Sequence, residues 1–222
     1  TYTTNNNAIP LPGGFLCDQR DPTCTEGSNP HADAAHKYAI GTFNFYANNF
    51  SRDSIDNNGM TIVSTVQYCE QGYPCPYDNA FWSGTQMVYG SAHGWPLADD
   101  IVAHELTHGV TEHESNLFYY YQSGAINESF SDVWGEYYDQ VNGLDVIAGY
   151  KWRIGEDIGG WTNTAPLPAL GLRDMSDPPL FYDPDKMTSP NYYTGSDDNG
   201  GVHWNSGVNN KAAYLMVDKH AK

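Results

Sequence analysis

His104-Glu105-Leu106-Thr107-His108 decides how this chain is read. It lies inside residues 99–116, where the apolar positions recur at helical spacing. On a helix, positions i and i+4 share a face, so His104 and His108 present two imidazoles to one metal ion. Glu105 is turned about 100° round the axis. It sits beside such an ion, where a carboxylate serves as a base rather than a ligand. The bland alternative is an amphipathic helix with two solvated histidines. With 8 histidines in 222 residues, the pattern arises by accident in about one such chain in a hundred.

The third ligand sharpens the reading. An HExxHxxGxxH continuation needs Gly at 111 and His at 114, but the chain has Thr111 and Glu114. A carboxylate from a later helix is the other common solution. Glu128 supplies one, on a second helix predicted over 126–141. Asp132 follows four residues later on the same face, placed to accept the free ring N–H of a ligating histidine. Two His, one Glu and an open position describe a catalytic zinc rather than a structural one. The remaining histidines (His31, His36, His93, His113, His220) read as exposed or structural.

Composition bounds the partners. Ten Lys and Arg stand against 27 Asp and Glu, a net charge of −17. Nucleic acid and anionic membrane surfaces need a basic footprint, so both are excluded as partners. No run of about 18 apolar residues exists to span a bilayer. With 22 Gly, 13 Pro and 17 Tyr, the chain reads as folded and loop-rich rather than disordered. The four cysteines form two close pairs, Cys17 with Cys24 and Cys69 with Cys75. Three connectivities are open, and the two local loops are the simplest. Disulfides in short loops fit an extracellular, secreted protein. A structural zinc held by four thiolates is the competing reading.

Around the zinc helix the pattern predicts a helix over 33–50, a strand over 60–68 and a strand over 81–89 that reads as an edge. Residues 155–207 read as long loops, followed by a helical run from Gly207 to the end. No internal repeat or linker is evident.

Several blocks then carry a family resemblance. They are Asn79-Ala80-Phe81-Trp82, HELTH at 104–108, SGAINESFSD at 123–132, LRDMSDP at 172–178, and DNGGVHWNSG at 198–207 followed by NNKAAYL. In that order the chain resembles the catalytic domain of thermolysin-like zinc metallopeptidases over essentially all of its length. The resemblance implies an α+β, zincin-type two-lobed fold. Residues 1–98 would form a β-rich amino-terminal lobe with one helix. Residues 99–222 would hold the zinc helix and an α-helical lobe, and the two lobes would make one catalytic domain. It implies one zinc on His104, His108 and Glu128, with Glu105 as general base. Tyr119 and His203 would donate hydrogen bonds to the oxyanion, and Asp198 would orient His203. Asn79, Ala80 and the Trp82 backbone would take an extended peptide as an added strand. Arg173 would hold the carbonyl on the primed side. Leu97, Ile101, Ile154, Ile158 and Leu172 would form an apolar pocket beside it. The expected activity is secreted, zinc-dependent endopeptidase cleavage of peptides or proteins before a bulky hydrophobic residue.

The resemblance also has breaks. The family often holds calcium behind the zinc helix. Asp100, Glu136, Asp139 and Glu156 remain there, but Lys151 and Arg153 stand where further acids are expected. The expectation is therefore one calcium at most, or the Lys151 ammonium in its place, paired with Asp100 and Asp139. The loop 157–171 offers no recognisable calcium ligands. Compared with the family, the residues begin inside the amino-terminal lobe and end soon after a helix starting near Asn205. Three cases stay open: the protein is nicked into fragments, these residues are part of a longer protein, or a second chain completes the carboxy-terminal lobe. The alternatives are a non-catalytic zinc-binding or adhesion module on the same scaffold, and an aminopeptidase. The first has no reason to keep Glu105, Tyr119, Asp198, His203 and Arg173 together. The second needs an acidic anchor for a substrate amine that the sequence does not identify.

Overall fold

The computed structural model describes residues 1–142, 150–158 and 171–218. It is α+β, with a sheet in the first ninety residues and helices dominating after them. Five short strands form the sheet: β1 (Tyr2–Thr3), β2 (Gly14–Phe15), β3 (Ser64–Tyr68), β4 (Ala80–Trp82) and β5 (Met87–Gly90). Their order is β2-β1-β3-β5-β4. β3 runs parallel to β1 and β5, while β2 and β4 are antiparallel edges.

Helix α1 (Pro30–Phe50) begins three residues before the predicted start at Asp33. Asn29 caps it by accepting from the Ala32 N–H, and Pro30 occupies the first turn, where its missing N–H costs nothing. It ends on Ser51 in the left-handed region. Ala32, Ala35 and Ala39 pack into a core with Val66, Met87 and Tyr89 of the sheet and Val102 and Leu106 of the next helix. That helix, α2 (Asp99–His113), carries the HELTH motif and is buried along most of its length. α3 (Tyr121–Asn142) packs beside it. Gly135 makes the close approach possible, since a Cβ there would meet the Asp100 carbonyl oxygen at 2.6 Å and the His104 Cβ at 3.3 Å.

A two-stranded ribbon, β6 (Arg153–Ile154) with β7 (Arg173–Asp174), lies beyond α3. Helices α4 (Asp198–Asn205) and α5 (Gly207–Asp218) close the chain. None of the described helices is long and apolar enough to cross a membrane.

The predicted elements are present with shifted bounds. The strand expected over 60–68 pairs only from Ser64, because the Met60 N–H is held by the Asp56 carboxylate and its carbonyl by the Ser54 hydroxyl. The strand expected over 81–89 is a hairpin, β4 and β5, turned at Ser83–Gln86 with Gly84 at φ 87°. The region expected as loop contains β7 and α4. The predicted loop 157–171 falls almost entirely outside the described residues, as does His220. Cys17–Cys24 and Cys69–Cys75 are disulfide-bonded, so no thiolate remains for the alternative four-cysteine zinc site.

Candidate metal centre and cleft

α2 forms the floor of an open cleft of about 910 Å³, walled on one side by β4 and on the other by Tyr119, Arg173 and His203. At its centre a nitrogen each of His104 and His108 and a carboxylate oxygen of Glu128 lie within 4.8 Å of one another. The helical repeat brings the two imidazoles together, with Nε2 to Nε2 3.1 Å. Both outer nitrogens face a side-chain oxygen. His104 Nδ1 lies 2.9 Å from Asp132 Oδ1, and His108 Nδ1 lies 2.8 Å from Asn127 Oδ1. With Nδ1–H directed outward, loss of the remaining ring proton on metal binding would leave both Nε2 atoms offering lone pairs to the same point. The fully buried Glu128 adds a carboxylate 3.2 Å from His108 Nε2 and 3.5 Å from His104 Nε2. Converging nitrogen and carboxylate donors of this kind fit a zinc ion.

Charge balances around Glu128. Burial alone would raise its carboxyl, but the facing imidazoles of His203, His108 and His104 hold it well below the usual range. Burial likewise opposes charge on His108, and the Glu128 carboxylate outweighs it, lifting the ring to about 9. Asp132 is also completely buried, yet Arg173 and His104 hold it near 2. Arg173 grips it with two N–H groups, at 2.8 and 2.5 Å. The Asn210 amide donates to it at 2.7 Å.

Glu105 flanks the cluster, and its Oε2 accepts the Trp82 backbone N–H at 3.1 Å. The Trp82 amide, expected to face a peptide, is thus committed to Glu105. The Tyr119 hydroxyl donates to Glu128 Oε1 and lies 3.3 Å from His203 Nε2. Burial and Glu128 together push its phenol above the ordinary range. His203 donates Nδ1–H to Asp198 Oδ1 at 2.6 Å, and its backbone N–H to Asp198 Oδ2 at 2.9 Å. Burial opposes charge on His203, but Glu128 and Asp198 prevail and raise the ring. Local backbone makes this pairing. Asn199, Gly200 and Gly201 are all left-handed, and a Cβ on Gly200 would strike the Tyr121 ring at 2.4 Å.

Asn79, Ala80 and Trp82 line the cleft wall, as do Ile101, Leu172 and Arg173. The five-residue apolar pocket needs correction. Ile154 and Ile158 are sealed in the core and Leu97 is on the surface, so only Ile101 and Leu172 reach the cleft. The β6–β7 pairing sends Ile154 inward. Trp95 and Phe181 stand there instead, both missed from sequence. Asn127, Asn210 and Asp183 were also missed. Asp183 is buried in the cleft wall, and burial lifts its carboxyl to about 7 against the pull of Arg173.

Behind α2 lies a second group of buried acids: Asp100, Glu136, Asp139 and Glu156. Asp100 accepts from the Gly155 N–H at 2.6 Å and Glu136 from the Trp152 N–H at 2.7 Å. Burial, then mutual repulsion, raises Asp100 well above the carboxylate range and Glu156 to about 10. One Glu156 oxygen is buried without a hydrogen-bond partner. Carboxylate oxygens are the hard donors that calcium takes. The Lys151 expectation is corrected: its side chain is exposed, with Nζ 5.5 Å above the Trp152 ring, and it pairs with neither Asp100 nor Asp139. Arg153 is 3.0 Å from Asp174. Neither cation enters the acidic group: Lys151 lies in the turn before β6 with its side chain exposed, and Arg153 in β6 pairs with Asp174.

Comparison with known proteins accords with this geometry. Residues 1–112 match the family model described as thermolysin metallopeptidase, catalytic domain, and residues 115–222 the one described as thermolysin metallopeptidase, alpha-helical domain. A bacillolysin from Brevibacillus brevis is 44% identical over 98% of this chain and 38% of its own length. The neutral protease NprE of Bacillus pumilus is 42% identical over 99% of the chain and 68% of its own length. Against the bacillolysins, then, the chain spans little more than a third of the relative. The solved precursor of protealysin, a metalloproteinase from Serratia proteamaculans, superposes with a TM-score of 0.82 at 35% identity, over 98% of this chain and 67% of that one. With both family models matched in order and the fold shared with that metalloproteinase, the chain belongs to the thermolysin metallopeptidase family.

Proposed function

We propose that the chain is the catalytic part of a secreted zinc endopeptidase that cuts internal peptide bonds before bulky hydrophobic residues. The observation that carries this is the convergence of His104, His108 and Glu128 in an open cleft with Glu105 beside them. His104, His108 and Glu128 hold the zinc, which when bound polarises a carbonyl and makes water more acidic. Glu105 takes the proton from the attacking water and returns it to the leaving amine. Its carboxylate is aimed by the Trp82 N–H. The Tyr119 hydroxyl turns from Glu128 toward the carbonyl oxygen as negative charge builds there, and His203 Nε2–H donates from the same side. Asp198 keeps the His203 ring oriented. Asn79 and Ala80, on the free edge of the sheet, receive the extended peptide backbone. Ile101 and Leu172 give an apolar seat on the Arg173 side. Asp100, Glu136, Asp139 and Glu156 hold one calcium. The lobes divide at 98/99, and two disulfides suit the extracellular setting.

A blocked internal peptide tests the reading. Cleavage should stop with a chelator and return with zinc. Glu105→Gln should keep the zinc and lose roughly 10²–10⁴-fold in kcat. Cleavage that survives either treatment refutes the mechanism, and release of amino-terminal residues alone from an unblocked peptide points to an aminopeptidase.

A further inference from the structure

Trp82 is tied to α2 at three points. Its backbone N–H donates to Glu105 Oε2 at 3.1 Å. Its indole N–H donates to Glu112 Oε2 at 2.7 Å. Between them the ring lies on Gly109, where a Cβ would come within 3.1 Å of two indole carbons. Glu105 and Glu112 are seven residues apart, two helical turns, and so share a face about 10 Å long. Trp82 lies along that face like a strap, with the candidate base at one end and Glu112 at the other.

Apart from α2, Trp82 pairs with Met87 of β5 and packs against the edge of the core. β4 is three residues long and, among the described residues, sits at the sheet edge, paired on one side only. Trp82 is its last residue, next to the Ser83–Gln86 turn. A strand end so placed is held along α2 chiefly by its side chain. Glu112 itself is exposed, so its bond to the indole does little for the core.

We propose that Glu112 is a positioning residue for peptide hydrolysis: by anchoring the Trp82 indole it keeps the Trp82 amide on the Glu105 carboxylate. This rests on Glu105 being the general base. The anchor acts through geometry, because small displacements of a reacting group cost rate without costing substrate affinity.

The test uses the full zinc-loaded chain. Glu112→Ala should lower kcat by about 10- to 100-fold, with KM within about twofold. The Trp82 amide peak in a nitrogen–proton correlation spectrum should move. Glu112→Gln, which keeps an acceptor oxygen, should restore both. Trp82→Phe, which keeps a ring but loses the indole N–H, should match Glu112→Ala, and the double variant should be no worse than either. An unmoved amide peak in Glu112→Ala overturns the proposal. So do losses that multiply in the double variant, or a loss confined to KM. If the unmodified chain cleaves no peptide, the endopeptidase reading fails on its own, and the amide peak still decides whether Glu112 sets Trp82.

Discussion

His203 is joined to Asp198 twice, by its ring Nδ1 at 2.6 Å and by its own backbone N–H at 2.9 Å. One carboxylate therefore sets both where the residue sits and which way its ring points. Asp198→Ala should lower kcat by about 10- to 100-fold while KM holds, since a misaimed donor is lost chiefly in the transition state. Steady-state kinetics on a blocked peptide check this. A rise in KM at constant kcat would show instead that His203 serves ground-state binding.

Gly200 places that pair. Its φ is +90°, and a Cβ would run into Tyr121. Gly200→Ala should cost about 1–3 kcal/mol in stability, with a fall in kcat as His203 shifts. Urea unfolding of the zinc-loaded protein measures the first effect. A variant as stable as the parent would mean the left-handed turn is not needed.

Asp132 joins three partners: His104, Arg173 and Asn210. Asp132→Ala leaves the Arg173 guanidinium buried without its counter-charge, which should destabilise by about 3–5 kcal/mol. Freed from its outer partner, His104 should also hold zinc about 10–100-fold less tightly. Competition with a calibrated chelator, alongside thermal unfolding, reads both. Zinc affinity equal to the parent would remove Asp132 from the metal site.

Asp183 supplies a pH dependence with a definite sign. Burial raises its carboxyl from the ordinary value to about 7. The folded state thus binds this proton more tightly than the unfolded chain. Its contribution to stability is fully present below about pH 4 and is lost as pH rises to about 7, on the order of 4 kcal/mol. Asp183→Asn should remove that slope. Urea midpoints of both proteins between pH 4 and 8 should converge at the acid end and part toward the alkaline end, with the variant the more stable. Parallel curves would contradict the burial argument.

What the sequence made legible was local periodicity and its chemistry. HELTH on a helix and a carboxylate twenty residues on were read from spacing, and so was the helix over 33–50, though its true start at Asn29 and Pro30 was read as loop. The hairpin within 81–89 was hidden because aromatic and β-branched residues flank Ser83 and Gly84 on both sides and outweigh the turn signal. Asn210 reaches Asp132 across 78 positions, and nothing in either neighbourhood announces the contact. Leu97, Ile154 and Ile158 were misassigned to the pocket because hydrophobicity marks burial but not which cavity a side chain faces. Lys151 failed as a calcium substitute for a similar reason: a charge at a matching position carries no information about its reach.

Gly135 has the last consequence. By letting the backbones of α2 and α3 nearly touch, it fixes how far Glu128 stands from the two imidazoles. The bite of the metal site is thus a matter of rod spacing. A methyl group at 135 would press α3 away from α2 and draw Glu128 off the two imidazoles, so Gly135→Ala should weaken zinc binding in a chelator competition.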